Sequence, residues 1–121
     1  VRIAANTDGT HTITAFQAGL TIEGTNGADK LVSAGNNDTF VFRPNFGNDT
    51  IIKFNAGTQT GHDVITIDDT IAHTLTDLTF HQSGHDTLIT TGTGDSILVK
   101  NTQVADVQHD VTFFHHGDGL I

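Results

Sequence analysis

Residues 24–63 read GTNGADKLVSAGNNDTFVFRPNFGNDTIIKFNAGTQTGHD, and the fold turns on this stretch. Short loops of Gly, Asn and Asp alternate with short runs of Thr, Val, Ile and Phe. Four loop aspartates, Asp29, Asp38, Asp49 and Asp63, are each followed, one residue later, by an apolar side chain: Leu31, Phe40, Ile51 and Ile65. The unit is G-x-D-x-U, with U apolar, and it returns as Gly84-His85-Asp86-Thr87-Leu88. A strand alternates faces with a period of two, so the U residues share a face. One such unit cannot bury its own apolar face. Several must stack, which buries a column of U side chains and lines up the loop carboxylates.

Working outward, residues 1–23 hold two candidate strands, His11–Phe16 and Leu20–Glu23, with Asp8-Gly9 able to close a hairpin. Residues 24–67 form the repeat region. The Asp spacings grow from 9 (29 to 38) to 11 (38 to 49) and 14 (49 to 63), so the later loops are read as enlarged, that at 56–60 most of all. Phe40, Phe42, Phe46 and Phe54 are bulky enough to close one end of a core. Residues 68–114 break the rhythm and then return to strands. Asp68-Asp69-Thr70 could cap a helical turn through Leu75, a short helical piece is expected around Val104–Val107, and Val111–His115 is a last strand. Residues 115–121 read as a mobile tail.

Composition narrows the function. The 121 residues suit one domain with a modest core. Fourteen acids oppose 5 bases, a net charge of −9 that repels nucleic acid and anionic membranes and favours cations as partners. No apolar run approaches the ~20 residues of a membrane span. There is no Cys, hence no disulfide and no thiolate chemistry, and a domain of this size would suit a metal as its staple. The absence of Met suggests a segment of a longer or processed chain. No G-x-S-x-G, H-E-x-x-H, P-loop or Rossmann pattern occurs, so the chain is read as non-catalytic. With no Trp or Tyr, a polysaccharide or cell-surface grip is the weaker alternative.

The loop chemistry fits a hard cation. Calcium takes roughly six to eight oxygens from carboxylates and backbone carbonyls. Gly turns allow carbonyls to point inward. The expected donors are the carboxylates of Asp29, Asp38, Asp49, Asp63 and Asp86 and the backbone of Gly24 and Asn26, with Asp29 and Asp49 paired on one edge, Asp38 and Asp63 on the other, and Asp86 with Asp95 the weakest pair. His62 and His85 fall at the variable position of the unit and are expected to face solvent. His115-His116 are strand neighbours that point opposite ways, so no His metal site is expected.

Gly24-Thr-Asn-Gly-Ala-Asp-Lys-Leu-Val32 resembles the G-G-x-G-x-D-x-U-x nonapeptide of the RTX (repeats-in-toxin) calcium-binding family. Asp38–Phe42 and Phe46–Ile51 resemble the coils that end such an array. Ser83–Thr90, Gly94–Val99 and 105–114 resemble the capping segment beyond it, so the likeness runs from about Leu20 to Phe114. It implies an all-β fold, a right-handed parallel β-roll or β-helix with a C-terminal β cap, and Ca²⁺ held between loops. It also implies a secreted bacterial protein exported by type I secretion, folding on extracellular Ca²⁺, and a larger parent polypeptide that carries the rest. The glycine positions are eroded. Ser33 and Asn36 replace both in the second unit, and Pro44, Thr58 and His81 replace the first glycine in later ones, which reduces the expectation to one or two ion sites, or none at full strength.

Overall fold

The computed structural model describes residues 2–4, 11–15, 17–24, 27–33, 36–56 and 62–115, the first segment as backbone. The expected Asp8-Gly9 hairpin, the enlarged loop beyond residue 56, Asn26 and the tail from His116 fall outside these residues.

Among the described residues, eleven strands fill two sheets: β1 (Arg2–Ala4), β2 (Thr12–Thr14), β3 (Thr21–Glu23), β4 (Lys30–Val32), β5 (Thr39–Phe42), β6 (Asn48–Ile52), β7 (Val64–Asp68), β8 (Thr79–Ser83), β9 (Asp86–Thr90), β10 (Ser96–Val99) and β11 (Val111–Phe114). From β1 to β7 consecutive strands alternate between sheets. One sheet runs β1-β3-β5-β7-β11 and is parallel throughout. The other runs β2-β4-β6-β10-β9-β8, parallel as far as β10 and antiparallel beyond it. The chain therefore winds in coils, each giving one short strand to each sheet. This is the parallel β-roll architecture.

The U residues do what their spacing demands. Ile22, Phe40 and Ile65 stack in register across β3, β5 and β7, and Ile13, Leu31 and Ile51 across β2, β4 and β6. All belong to one buried cluster between the sheets. Phe40 meets Phe54 at 5.9 Å between ring centroids, and Phe42 meets Phe46 edge-on at 4.9 Å. On the outer face Arg43 holds Glu23 at 3.0 Å and lies 5.3 Å over the Phe114 ring, linking β3, β5 and β11. Asn37 and Asn45 supply left-handed turns (φ 60 and 66), a conformation that Asn tolerates better than other side chains.

Two elements differ from the expectation, while the short helical piece falls where it was expected. Asp68 ends β7 and closes a local turn, accepting from Thr70 N–H (2.9 Å) and Thr70 Oγ1 (2.7 Å), while the helical turn forms later, as a 3₁₀ turn at Leu75–Asp77. The short helix α1 runs Val104–His109, with Val107 buried. Gly84-Asp86 is not a coil of the roll. Ser83 pairs with Asp86 across the two-residue turn Gly84-His85, and Gly84 has φ 62, so the segment is a tight β-hairpin of β8 and β9. Its buried residues are Thr87 and Ile89, whereas the presumed U residue Leu88 is only half-buried. The antiparallel pairing reverses the phase that the motif implied.

Candidate metal centre: two columns of aspartate

Strands β4 to β7 are each entered through an aspartate, and the parallel register stacks these residues. The edge leading into the β2-β4-β6 sheet holds Asp29 and Asp49. Asp29 N–H donates to Asp49 Oδ1 at 2.9 Å, and His11 N–H donates to Asp29 Oδ1 at 3.0 Å. The edge leading into the other sheet holds Asp38 and Asp63. Asp38 N–H donates to Asp63 Oδ1 at 2.9 Å, and Leu20 N–H to Asp38 Oδ1 at 2.9 Å. All four carboxylates are at most 2% exposed. The two pairings expected on opposite edges are therefore present. Their cause is the D-x-U spacing: with U inward, the residue two before it also points inward, at the mouth of the strand.

Beyond Asp49 the register of the first column shifts. β10 aligns Ile97 with Asp49 and Val99 with Ile51, two residues out of phase with the repeat. An apolar side chain thus sits where the next carboxylate would be. Asp95 is set back beside Gly47, whose N–H it accepts at 3.3 Å. Burial pushes the Asp49 carboxyl up to about 8, and the neighbouring charges of Asp29 and Asp95 add to this against the backbone bond from Asp29. Gly24 closes the column from outside: a Cβ placed there would run into the Asp29 carboxylate.

The second column contains a residue that the sequence reading treated as a lost glycine. Ser33 Oγ lies 2.8 Å from Asp38 Oδ2 and 2.7 Å from Asp63 Oδ2, and Ser33 is buried. Asn55 N–H donates to Asp63 Oδ2 at 2.9 Å. Burial raises the Asp63 carboxyl, opposed by the bonds from Asn55, Asp38 and Ser33. A hydroxyl carries one hydrogen, so Ser33 donates to one of the two carboxyl groups at a time.

Asp86 lies in neither column. Its oxygens take Asn101 N–H at 2.7 Å and Lys100 Nζ at 3.1 Å, and these partners lower its pKa, the backbone bond first. Asp110, at the start of β11, is a buried carboxylate that the sequence did not single out, because its apolar follower Val111 comes one residue too soon for the motif. Its Oδ1 is 3.0 Å from His62 Nδ1 and 2.9 Å from His109 Nδ1. His62 is therefore half-buried and engaged, against the solvent-facing position expected of it, while His85 is exposed as expected. Among the described residues, no three His, Cys, Asp or Glu side chains form a group able to hold a metal, and no buried side-chain N or O atom lacks a hydrogen-bond partner.

The fold defines the class: an all-β chain wound as a parallel β-roll. Among solved structures it is similar to the extracellular lipase LipA from Serratia marcescens, with a TM-score of 0.57 at 17% sequence identity. The match covers 90% of this chain and 20% of that one, so the chain spans about a fifth of the lipase. No family model matches the sequence, and no curated protein matches it significantly. No helix among the described residues is long and apolar enough to cross a membrane.

Proposed function

We propose that this chain is a non-catalytic, RTX-like calcium-binding module of a secreted bacterial protein, whose Asp29–Asp49 column takes the ion. The observation that carries the reading is the stacking of two buried carboxylates in direct hydrogen-bonded succession on one edge. Burying a carboxylate beside like charges costs free energy, and the push of Asp49 up to about 8, by burial first and by the charges of Asp29 and Asp95 after it, is that cost expressed as proton affinity. A divalent cation offsets it. The donors fit: hard carboxylate oxygens beside loop backbone, with no sulfur or imidazole required. Two side chains alone make a partial shell, so backbone carbonyls complete it, with those of Gly24 and the 44–46 turn as the nearest in sequence. Binding free energy then acts as folding free energy. An extracellular module of this kind works at a Kd of ~10⁻⁴ to 10⁻³ M.

Folding on extracellular calcium, passage by type I secretion and attachment to a larger polypeptide belong to the same proposal. The similarity to a stretch of an extracellular lipase supports the secreted setting. The test is a calcium titration of the chain followed by far-UV circular dichroism and thermal melting, with EDTA and Mg²⁺ controls. A melting shift of several degrees with Ca²⁺ and not Mg²⁺ is expected. An unchanged β spectrum and melt in EDTA and in millimolar Ca²⁺ would replace this reading with that of a calcium-independent structural module.

A further inference from the structure

We infer that Ser33 takes the place of a cation on the Asp38–Asp63 edge, so that this edge closes without metal and the module's calcium response is confined to the other edge. The clause about calcium rests on the reading above; the clause about the serine rests on its geometry alone.

Two carboxylates facing each other need something electropositive between them. On this edge the position between Asp38 Oδ2 and Asp63 Oδ2 is filled by the Ser33 hydroxyl, at 2.8 and 2.7 Å. Both distances are those of strong O–H···O bonds to carboxyl groups. The arrangement is held from every side. Ser33 N–H donates to Ile52 O at 3.0 Å, which fixes its backbone. Asp38 N–H and Asn55 N–H hold Asp63, and Leu20 N–H holds Asp38. An ion with metal–oxygen distances of roughly 2.3–2.6 Å would have to displace the hydroxyl. The hydroxyl thus closes this edge where an ion would otherwise lie, although its aspartates keep the same D-x-U spacing as those of the other edge. The residue that decides between the edges is Ser33, not either aspartate.

The test uses the whole chain with Ser33→Ala, Ser33→Thr, Ser33→Gly and Asp38→Asn. In EDTA, Ser33→Ala is expected to lower the melting temperature by about 5–10 °C, because a buried hydroxyl between two carboxyl groups is lost, and Ser33→Thr to retain most of it. In Ca²⁺, Ser33→Gly is expected to show a larger melting shift than the parent and one more bound ion by calorimetry. Asp38→Asn is expected to leave the parent's calcium isotherm unchanged. The inference is overturned if Ser33→Ala melts with the parent in EDTA, or if Asp38→Asn removes calcium binding while Ser33 is in place. A parent chain that binds no calcium would end the functional reading, and the EDTA melts of the alanine and threonine variants would still decide whether the hydroxyl closes the edge.

Discussion

On one edge of the roll, Asp49 accepts the Asp29 N–H and is covered by Ile97 from the next strand. On the other, Asp63 accepts two backbone N–H groups and meets the Ser33 hydroxyl, with Asp38 on its far side. The aspartates occupy the same position in the repeat and are equally buried. What differs is the neighbourhood that the register supplies. The first edge buries Asp49 beside the charges of Asp29 and Asp95, and the second places the Ser33 hydroxyl between its two carboxyl groups. Motif and burial alone do not make a cation site. On the function proposed above, what lies between the two carboxyl groups separates the edge that takes an ion from the edge that does not.

The largest effect expected from this contrast is that of removing Asp63. Asp63→Ala strands Asp38 N–H and Asn55 N–H in a buried place and leaves the Ser33 hydroxyl with Asp38 alone, at a cost of about 2–4 kcal/mol. Calcium should not restore it. Asp49→Asn keeps an oxygen for Asp29 N–H and removes the confined charge. In EDTA at pH 8 it is expected to be as stable as the parent or more so, while its calcium-dependent melting shift disappears. Urea unfolding of the two variants with and without Ca²⁺ checks this. Equal losses in EDTA would dissolve the distinction between the edges.

The pH dependence follows next. The Asp49 carboxyl moves from 3.8 up to about 8 on folding. Between these values the native state holds a proton that the unfolded chain has released, so stability falls as pH rises through the window. Asp63 is shifted in the same direction and adds to the slope. The calcium-free chain should thus lose stability on the order of a few kcal/mol between pH 5 and pH 8. Asp49→Asn should flatten most of that profile. Calcium must displace the same proton, so its affinity should rise with pH by up to roughly tenfold per unit below pH 8. A parent profile that rises toward pH 8 in EDTA would mean that burial does not govern this column.

These edges also show what was legible beforehand. The D-x-U spacing placed Leu31, Phe40, Ile51 and Ile65 in the core and the two aspartate pairs on opposite edges, because strand periodicity is local and the parallel register repeats it. The same unit misread Gly84–Leu88, since a local motif does not specify whether the following strand pairs parallel or antiparallel. Nor did it reveal the two-residue offset of β10 that sets Ile97 beside Asp49. Ser33 counted as a missing glycine because its hydroxyl gains meaning only from Asp63, 30 residues away. His62 and Asp110 were missed likewise: their contact joins the start of β7 to the end of α1.

A smaller effect is expected at Gly24. The Asp29 side chain is buried and held by His11 N–H at 3.0 Å, so it cannot swing away from an added methyl group. Gly24→Ala should cost about 1–3 kcal/mol and weaken calcium binding together with it. Gly92→Ala is the control, because nothing lies within 4 Å of the added carbon there. Thermal melts of both in EDTA and Ca²⁺ distinguish crowding of the column from a general intolerance of turn substitutions.

The smallest effect should come from Asp86, and it tests the boundary of the contrast. This carboxylate carries the same Gly-His-Asp signature as Asp63, yet it caps a hairpin and is satisfied by Asn101 N–H and Lys100. Its pKa is lowered from 3.8, so its contribution is present above that value and lost only as pH falls through the lower, folded one. Asp86→Asn keeps an acceptor for Asn101 N–H and gives up the ion pair with Lys100. Its calcium isotherm and its stability profile between pH 5 and 8 should overlay those of the parent, with any difference confined below about pH 4. If it weakens calcium binding as Asp49→Asn does, the antiparallel hairpin belongs to the site. Parallel stacking would then not be what selects the ion's position.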